Sequence, residues 1–134
     1  MQRNAVADGI STDYSDSIAG VESRNNKIRD DIDKYIDKKY QDPKQRAAMK
    51  QYAVAQRDFL VYGASREGAV NAAERMVKSL ACIRGVMGQK GVDESKLVLA
   101  MMLNTQARWQ AFSVAMKNMS GHIYDLYRGD SCEN

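Results

Sequence analysis

The last third of the chain carries a long series of side chains at alternating steps of four and three residues. The series is Val98, Met102, Thr105, Trp109, Phe112, Met116, Met119, Ile123 and Leu126. This spacing makes one face of an α-helix apolar and is typical of a helix packed against other helices. We expect Trp109 and Phe112 to be the bulky anchors of this seam, with any bend at Asn104 or at residues 120–121.

A similar series predicts an earlier helix that begins near Tyr14. Its members are Ile18, Val21, Asn25, Ile28, Ile32 and Tyr35. A second helix is expected from Pro43, because proline fits the first helical position and Asp42 can cap the free backbone N–H groups. Ser65 is the predicted cap of a third helix after a break at residues 63–65, and the alternative is one long helix over 43–87.

The glycine-rich stretch GVMGQKG, at residues 85–91, predicts the end of the third helix. Glycine often adopts the left-handed conformation just past a helix, and Asp93 is then the expected cap of the next one. The stretch follows a helix rather than a strand and lacks the spacing of a phosphate-binding loop. We therefore predict no nucleotide site there.

These patterns predict an all-α protein, an antiparallel bundle of four to five helices in a single domain. The 134 residues include one proline, 44% apolar residues and 28% charged residues, which is a globular composition. We expect a flexible N-terminal arm at 1–13 and a helical bundle with a short C-terminal tail at 14–134. No apolar run approaches the length of a membrane-spanning helix.

Cys82 and Cys132 are the only cysteines, and their state constrains the last helix. A straight helix over 94–128 would carry Cys132 about 50 Å from Cys82, whereas a disulfide needs Cα atoms within about 7 Å. A bond therefore requires a break, for which Asn104 would serve. Three states compete: a disulfide with a broken helix, two thiols with a straight helix, or a link between chains. We favour the disulfide, because a cysteine in a polar tail has little packing role.

Residues that usually carry catalysis are scarce. His122 is the single histidine, and the cysteines lack CxxC spacing, which disfavours zinc sites and thiol redox chemistry. We therefore predict no enzyme, no cofactor and no metal site. Four aspartates interleaved with lysines are interpreted as ion pairs on an exposed helix face. They are Asp30, Asp31, Asp33 and Asp37.

Basic residues concentrate in the middle of the chain. Residues 43–90 contain nine Lys or Arg and three Asp or Glu, a net charge of +6. Arg46, Lys50 and Arg57 share one helix face, because they are separated by four and seven residues. These three are candidates for contact with an acidic partner or with nucleic acid. Met101, which lies off the apolar seam, is a further candidate for partner contact.

Residues 127–132 read YRGDSC. Arg128, Gly129 and Asp130 spell a motif that extracellular ligands present to integrins. A local explanation also fits, because Arg128 complements the negative end of a helix and Gly129 can end it in the left-handed conformation. We therefore interpret the motif as a helix end and do not assign it to cell adhesion.

Together these features favour a non-enzymatic helical protein–protein interaction module of the inhibitor, immunity, adaptor or secreted-effector type. With the disulfide it would be periplasmic or secreted, and with reduced cysteines it would be cytoplasmic. The alternative is a cytoplasmic helical regulator that binds nucleic acid through segment 43–90. We expect a monomer or a homodimer, and the seam over 98–126 is where two chains would pack together.

Overall fold

Four helices are present in residues 11–124 and 131–133, the part of the chain that the computed structural model describes. They are α1 (Asp30–Lys39), α2 (Pro43–Tyr62), α3 (Arg66–Met102) and α4 (Gln106–Asn118). These described ranges contain no β-strand element, and the predicted all-α class is confirmed. None of the four helices is long and apolar enough to cross a membrane.

The starts of α2 and α3 follow the predicted capping. The Asp42 carboxylate accepts a hydrogen bond from the Lys44 backbone N–H at 2.8 Å. The Ser65 hydroxyl oxygen accepts one from the Gly68 backbone N–H at 3.0 Å. Each cap satisfies a backbone donor that has no partner inside its own helix, so both predicted helix starts are confirmed.

The glycine-rich stretch kinks α3 at Gly88, where two helical segments meet, so the predicted interruption within residues 85–91 is confirmed. α3 continues to Met102, and Gly88 alone has non-helical angles inside it, with φ 70° and ψ −164°. A positive φ of this size favours glycine, because a Cβ would be strained there. Asp93 lies inside the helix, so the prediction that it caps a new helix is wrong.

The N-terminal part of the described chain is not helical. The prediction of a helix from near Tyr14 is wrong, because α1 begins at Asp30. Three residues with positive φ interrupt any right-handed helix before that point. They are Gly20 at 73°, Asn25 at 57° and Lys27 at 63°. From the predicted apolar series, Ile28 and Ile32 are nevertheless buried in the core.

The final helical stretch is broken at the predicted place. α3 ends at Met102, and Thr105 caps α4 by accepting a hydrogen bond from the Arg108 backbone N–H at 3.2 Å. The far end of α4 lies beside the turn between α2 and α3, where the Asn118 side chain donates to the Gly63 carbonyl at 2.8 Å. The predicted break at Asn104 is therefore confirmed.

The apolar core has two parts. The larger part joins α1, α2 and both segments of α3, and its buried members are Ile28, Ile32, Ile36, Tyr40, Ala48, Met49, Tyr52, Ala53, Leu60, Cys82, Ile83, Val98 and Met102. The smaller part lies where α4 meets α2 and α3, and its buried members are Phe59, Ala69, Ala72, Ala73 and Ala115. The small alanine side chains allow the three helices to approach closely there.

Candidate functional site

The predicted basic face is bound by carboxylates of the same chain. The Lys50 ammonium lies 2.7 Å from an oxygen of Asp37 and 3.0 Å from an oxygen of Asp33. Arg24 joins the same two carboxylates, with Nη1 2.9 Å from Asp33 and 2.8 Å from Asp37. Arg46 Nε lies 3.7 Å from Asp37, so Arg46 and Lys50 meet at one carboxylate.

The pKa shifts in this cluster favour its ion pairs. The hydrogen bond from Lys50 is the main influence that lowers the pKa of Asp37. Burial alone would lower the pKa of Lys50, but the hydrogen bonds to Asp37 and Asp33 raise it above its usual value. Both shifts favour the charged forms of Lys50 and Asp37.

Two of the four aspartates that we placed on an exposed face are buried. Asp33 is fully enclosed, and Asp31 is 5% exposed. The prediction of an exposed ion-pair face is therefore wrong for these two residues. Their charges face basic groups that precede α1 or lie on α2, and local spacing within α1 does not reveal such partners.

Arg57 is held by a separate set of carboxylates. Its guanidinium makes two hydrogen bonds to Glu22, at 2.9 and 3.2 Å, and one to Asp58 at 3.0 Å. Burial opposes the charge of Arg57, but these hydrogen bonds raise its pKa. Arg75 binds the other oxygen of Asp58 at 2.9 Å. Four of the nine basic residues in segment 43–90 therefore pair with carboxylates of the same chain: Arg46, Lys50, Arg57 and Arg75.

Met101, the remaining partner candidate, is half-buried and packs against the larger core. Its backbone carbonyl accepts a hydrogen bond from Arg29 at 3.1 Å. The structure thus gives Met101 a packing role and gives Arg46, Lys50 and Arg57 ionic roles. It does not assemble the four residues into one open surface.

Arg108 is the largest fully buried side chain in the described chain, and the sequence patterns did not single it out. Its guanidinium donates to the Asp13 carbonyl at 2.6 Å, to the Asn104 side-chain oxygen at 2.8 Å and to the Ser17 carbonyl at 3.0 Å. Asp13 also forms a salt bridge with it at 3.3 Å. Arg108 therefore ties the N-terminal segment to the break between α3 and α4.

A second buried arginine completes this network. Arg29 makes a double salt bridge to Asp31, at 2.6 and 2.8 Å, and donates to Asn104 at 3.1 Å. Burial opposes the charge of Asp13, but hydrogen bonds from Ser15, Val21 and Arg108 hold its pKa well below the usual range. These shared contacts fix the chain before α1 against the start of α4.

One sequence signal could have identified Arg108. No acidic residue lies within four positions of it, so its charge has no local partner along α4. A buried arginine needs hydrogen-bond acceptors, and these must then come from a distant part of the chain. Asp13 lies 95 residues away, a pairing that a single sequence does not disclose.

The C-terminal tail is fixed to α3 by the disulfide of Cys82 and Cys132, whose sulfur atoms lie 2.05 Å apart. The Gln51 side chain holds both neighbours of Cys132. It donates to the Ser131 carbonyl at 3.2 Å and accepts from the Glu133 backbone N–H at 2.9 Å. Of the three predicted states, the structure contains the disulfide with a broken final helix. Arg128, Gly129 and Asp130 lie outside the described residues.

The residues that most often carry catalysis and the cleft beside the disulfide are arranged as follows. His122 pairs with Glu74 through its Nε2, and its ring contacts Tyr124 edge-on at 4.8 Å. No group of three or more metal-ligating side chains occurs in residues 11–124 and 131–133. A cleft of about 490 Å³ lies beside the disulfide and is lined by Pro43, Lys44, Ala47, Ala48, Cys82, Val86, Cys132 and Glu133. Its lining contains no histidine, and its cysteines are bonded to each other.

The outer side of α4 exposes large apolar side chains to solvent. Trp109 and Met116 are 56% and 46% exposed, although the apolar series predicted that they pack inside the bundle. The prediction is right for Val98 and Met102, which are buried, and wrong for Trp109 as an internal anchor. Inside α4, Arg108 and Ala115 take the buried positions instead.

Trp109 is held in place although it is exposed. Its ring stacks on Phe112, with centroids 5.9 Å apart and an angle of 22° between the planes. Phe112 in turn meets Phe59 edge-on at 5.6 Å in the smaller core. Met119 also packs against that core. We call Trp109, Phe112, Met116 and Met119 the Trp109 stripe: two members pack inward and two face solvent.

Few charges surround the Trp109 stripe on α4. The exposed residues of this helix are Gln106, Ala107, Trp109, Gln110, Ser113, Val114, Met116 and Lys117. Only Lys117 among these eight is charged, whereas six of the twelve exposed residues of α3 are charged. A surface with aromatic and methionine side chains and few charges has the composition of a protein-binding surface.

No protein-family model, curated protein or solved structure matches this chain. The candidate site therefore depends on its own geometry: a rigid, exposed tryptophan on a helix face that is almost free of charge.

Proposed function

We propose that this chain is an antiparallel helical bundle that acts as a non-enzymatic protein-binding module outside the cytoplasm. The partner contacts the Trp109 stripe and the exposed side of α4. The observation that carries this proposal is the exposure of Trp109, 56%, on a helix whose outer side bears one charge. The proposal includes inhibitors, immunity proteins, adaptors and secreted effectors.

A fixed tryptophan is well suited to bind a protein. Tryptophan is enriched among the residues that contribute most to interface affinity. The stacking of Trp109 on Phe112, and of Phe112 against Phe59, holds the indole before a partner arrives. Little side-chain entropy is then lost on binding, which favours affinity. The 4,3 spacing also matches the way one helix presents anchors to another.

The disulfide supports the proposed location. Stable disulfides form in the periplasm and outside the cell and are rare in the cytoplasm. The bond between Cys82 and Cys132 closes a long loop, because the two cysteines are 50 positions apart in sequence. Closing such a loop stabilises the folded chain by about 4 kcal/mol on a chain-entropy estimate.

A nucleic-acid-binding role has less support. Lys50 and Arg57, which we considered for that role, are held by Asp33, Asp37 and Glu22. A phosphate backbone would have to displace these carboxylates. Retention on heparin or DNA that falls steeply with salt would favour this alternative.

Site-specific photo-crosslinking tests the proposal. A photoreactive amino acid at Ser113, beside the Trp109 stripe, is compared with one at Lys96 on the charged outer side of α3. We expect a crosslinked protein at position 113 and none at 96. The captured protein is then purified, and its affinity is measured for wild type and W109S. We expect W109S to weaken binding at least about 10-fold. Equal crosslinking at both positions, or unchanged affinity of W109S, would contradict the proposal.

A further inference from the structure

The two cysteines of the disulfide differ in their access to solvent. Cys82 on α3 is 2% exposed and belongs to the larger core, whereas Cys132 is only partly buried and packs against that core. Both cysteines line the cleft of about 490 Å³ beside the first turns of α2. A small molecule that enters this cleft contacts the disulfide, and Cys132 is its more accessible half.

Residues 131–133, which we call the latch, are joined to α2 and α3 by the disulfide and by weaker contacts. Gln51 makes two hydrogen bonds to the latch, at 3.2 Å to the Ser131 carbonyl and at 2.9 Å from the Glu133 backbone N–H. Arg75 and Glu133 form an ion pair at 3.4 Å between side chains that are 40% and 45% exposed. Exposed ion pairs contribute little to stability, and the net contribution of a hydrogen bond is modest. We therefore expect the disulfide to be the main attachment of the latch.

We propose that the disulfide of Cys82 and Cys132 is a thiol-exchange site that controls the latch. A dithiol reductant enters the cleft, forms a mixed disulfide with Cys132 and leaves as a cyclic disulfide, with both cysteines reduced. The latch then separates from Gln51, and the lining of the cleft on α2 and α3 becomes more exposed. The exchange involves no residue of the Trp109 stripe, so it goes beyond the proposed function, and either proposal can fail without the other.

The exchange takes place in two steps. In the first step a thiolate of the reductant attacks Cys132 Sγ, the S–S bond breaks, and Cys82 Sγ leaves as a thiolate that takes up a proton. In the second step the other thiolate of the reductant attacks its own sulfur in the mixed disulfide, and Cys132 leaves and is protonated. The reductant loses two electrons and two protons, and the two cysteines gain them as two thiols.

Burial determines which sulfur is attacked. The rate of thiol–disulfide exchange depends on access to the attacked sulfur. Attack at Cys82 would require the larger core to open, whereas attack at Cys132 from the cleft would not. The lining of the cleft contains one charge of each sign, Lys44 and Glu133, so a neutral dithiol such as dithiothreitol is a suitable probe.

Trapping the mixed disulfide tests which sulfur reacts. The folded protein is treated with glutathione, the remaining thiols are blocked at once with N-ethylmaleimide, and the chain is cut with trypsin. Trypsin cuts after Lys78, Arg84 and Arg128, so Cys82 and Cys132 fall in separate peptides, 79–84 and 129–134. We expect glutathione on peptide 129–134 at least about 10-fold more often than on 79–84. Equal labelling, a preference for Cys82 or no mixed disulfide would overturn the proposed site.

The rate of reduction by dithiothreitol tests whether the reagent reaches the disulfide in the folded protein. D33N is the comparison, because Asp33 binds Arg24 and Lys50 and does not line the cleft. Reduction through the cleft should proceed at the same rate in wild type and D33N, within about 2-fold. Reduction that requires global unfolding would be at least about 10-fold faster in the less stable D33N. That result would overturn access through the cleft.

Backbone hydrogen exchange tests whether reduction releases the latch. The Glu133 N–H is bonded to the Gln51 side chain in the oxidised protein and should exchange at least about 10-fold faster after reduction. The Ala53 N–H, in the middle of α2, should keep its protection. Unchanged exchange at Glu133 would show that noncovalent contacts hold the latch. Equal loss of protection at Ala53 would show that the disulfide supports the whole fold, and either result would overturn the proposal.

Discussion

α1 and α4 reverse the usual relation between side-chain chemistry and burial. α1 has seven charged residues among ten, yet two of its aspartates, Asp31 and Asp33, are buried. α4 has two charged residues among thirteen, yet Trp109 and Met116 are half exposed. The difference shows that burial at these four positions does not follow local hydropathy.

The two helices also differ in what their unusual residues do for the fold. The buried carboxylates near α1 each bind basic groups and so hold the N-terminal segment, α1 and α2 together. The exposed apolar residues of α4 stabilise little inside the chain. We therefore assign a stabilising role to the first set and a binding role to the second, and each of the following predictions tests that division.

The largest expected effect is at Arg108, the charged residue on the inner side of α4. R108M removes the guanidinium and with it the hydrogen bonds that Arg108 donates to Asp13 and Asn104. Breaking a buried ionic network in this way should lower the free energy of unfolding by about 3 kcal/mol or more. Urea denaturation measures it, with K117M on the exposed side as control. A change below about 1 kcal/mol would show that the network stabilises little.

The next effect is at Asp33 on α1. D33N removes the charge that binds Arg24 and Lys50 and should cost about 2 kcal/mol in unfolding free energy. D93N is the matched control, because Asp93 is 61% exposed and its ion pair with Lys96 is long, at 3.9 Å. Equal urea midpoints for D33N and D93N would show that the charge of Asp33 stabilises the fold no more than an exposed charge does.

Acid should destabilise the fold through Asp13 and Asp37. The folded-state pKa values of Asp13 and Asp37 are lowered, so their stabilisation is present above the unfolded pKa of about 4 and is lost as pH falls through the folded values. We expect the urea concentration at the unfolding midpoint to decrease as the pH is lowered below about 4. The decrease should be smaller in D13N than in wild type. Identical pH profiles for wild type and D13N would contradict this role of Asp13.

Local chemistry predicted the starts of α2 and α3 correctly. The caps at Asp42 and Ser65 depend on residues within three positions, which the sequence displays directly. The break at Asn104 followed from the cysteine geometry, because a straight helix could not bring Cys132 to Cys82. These features required only short-range rules and one covalent constraint.

Apolar spacing alone led to two wrong predictions. The false helix before Asp30 arose because apolar spacing alone does not reveal the positive φ angles at Asn25 and Lys27. The exposure of Trp109 was missed for a related reason. A 4,3 seam indicates that a helix packs against something, but it does not state whether the partner belongs to the same chain.

The smallest expected effect on stability is at Trp109, the neighbour of Arg108. The variant W109S tests the central claim most directly. W109S should lower the unfolding free energy by about 1 kcal/mol or less, because it removes a half-exposed ring stacked on Phe112. The same variant should weaken association at least about 10-fold. A loss of about 3 kcal/mol in stability with unchanged association would contradict the claim that the Trp109 stripe serves binding rather than folding.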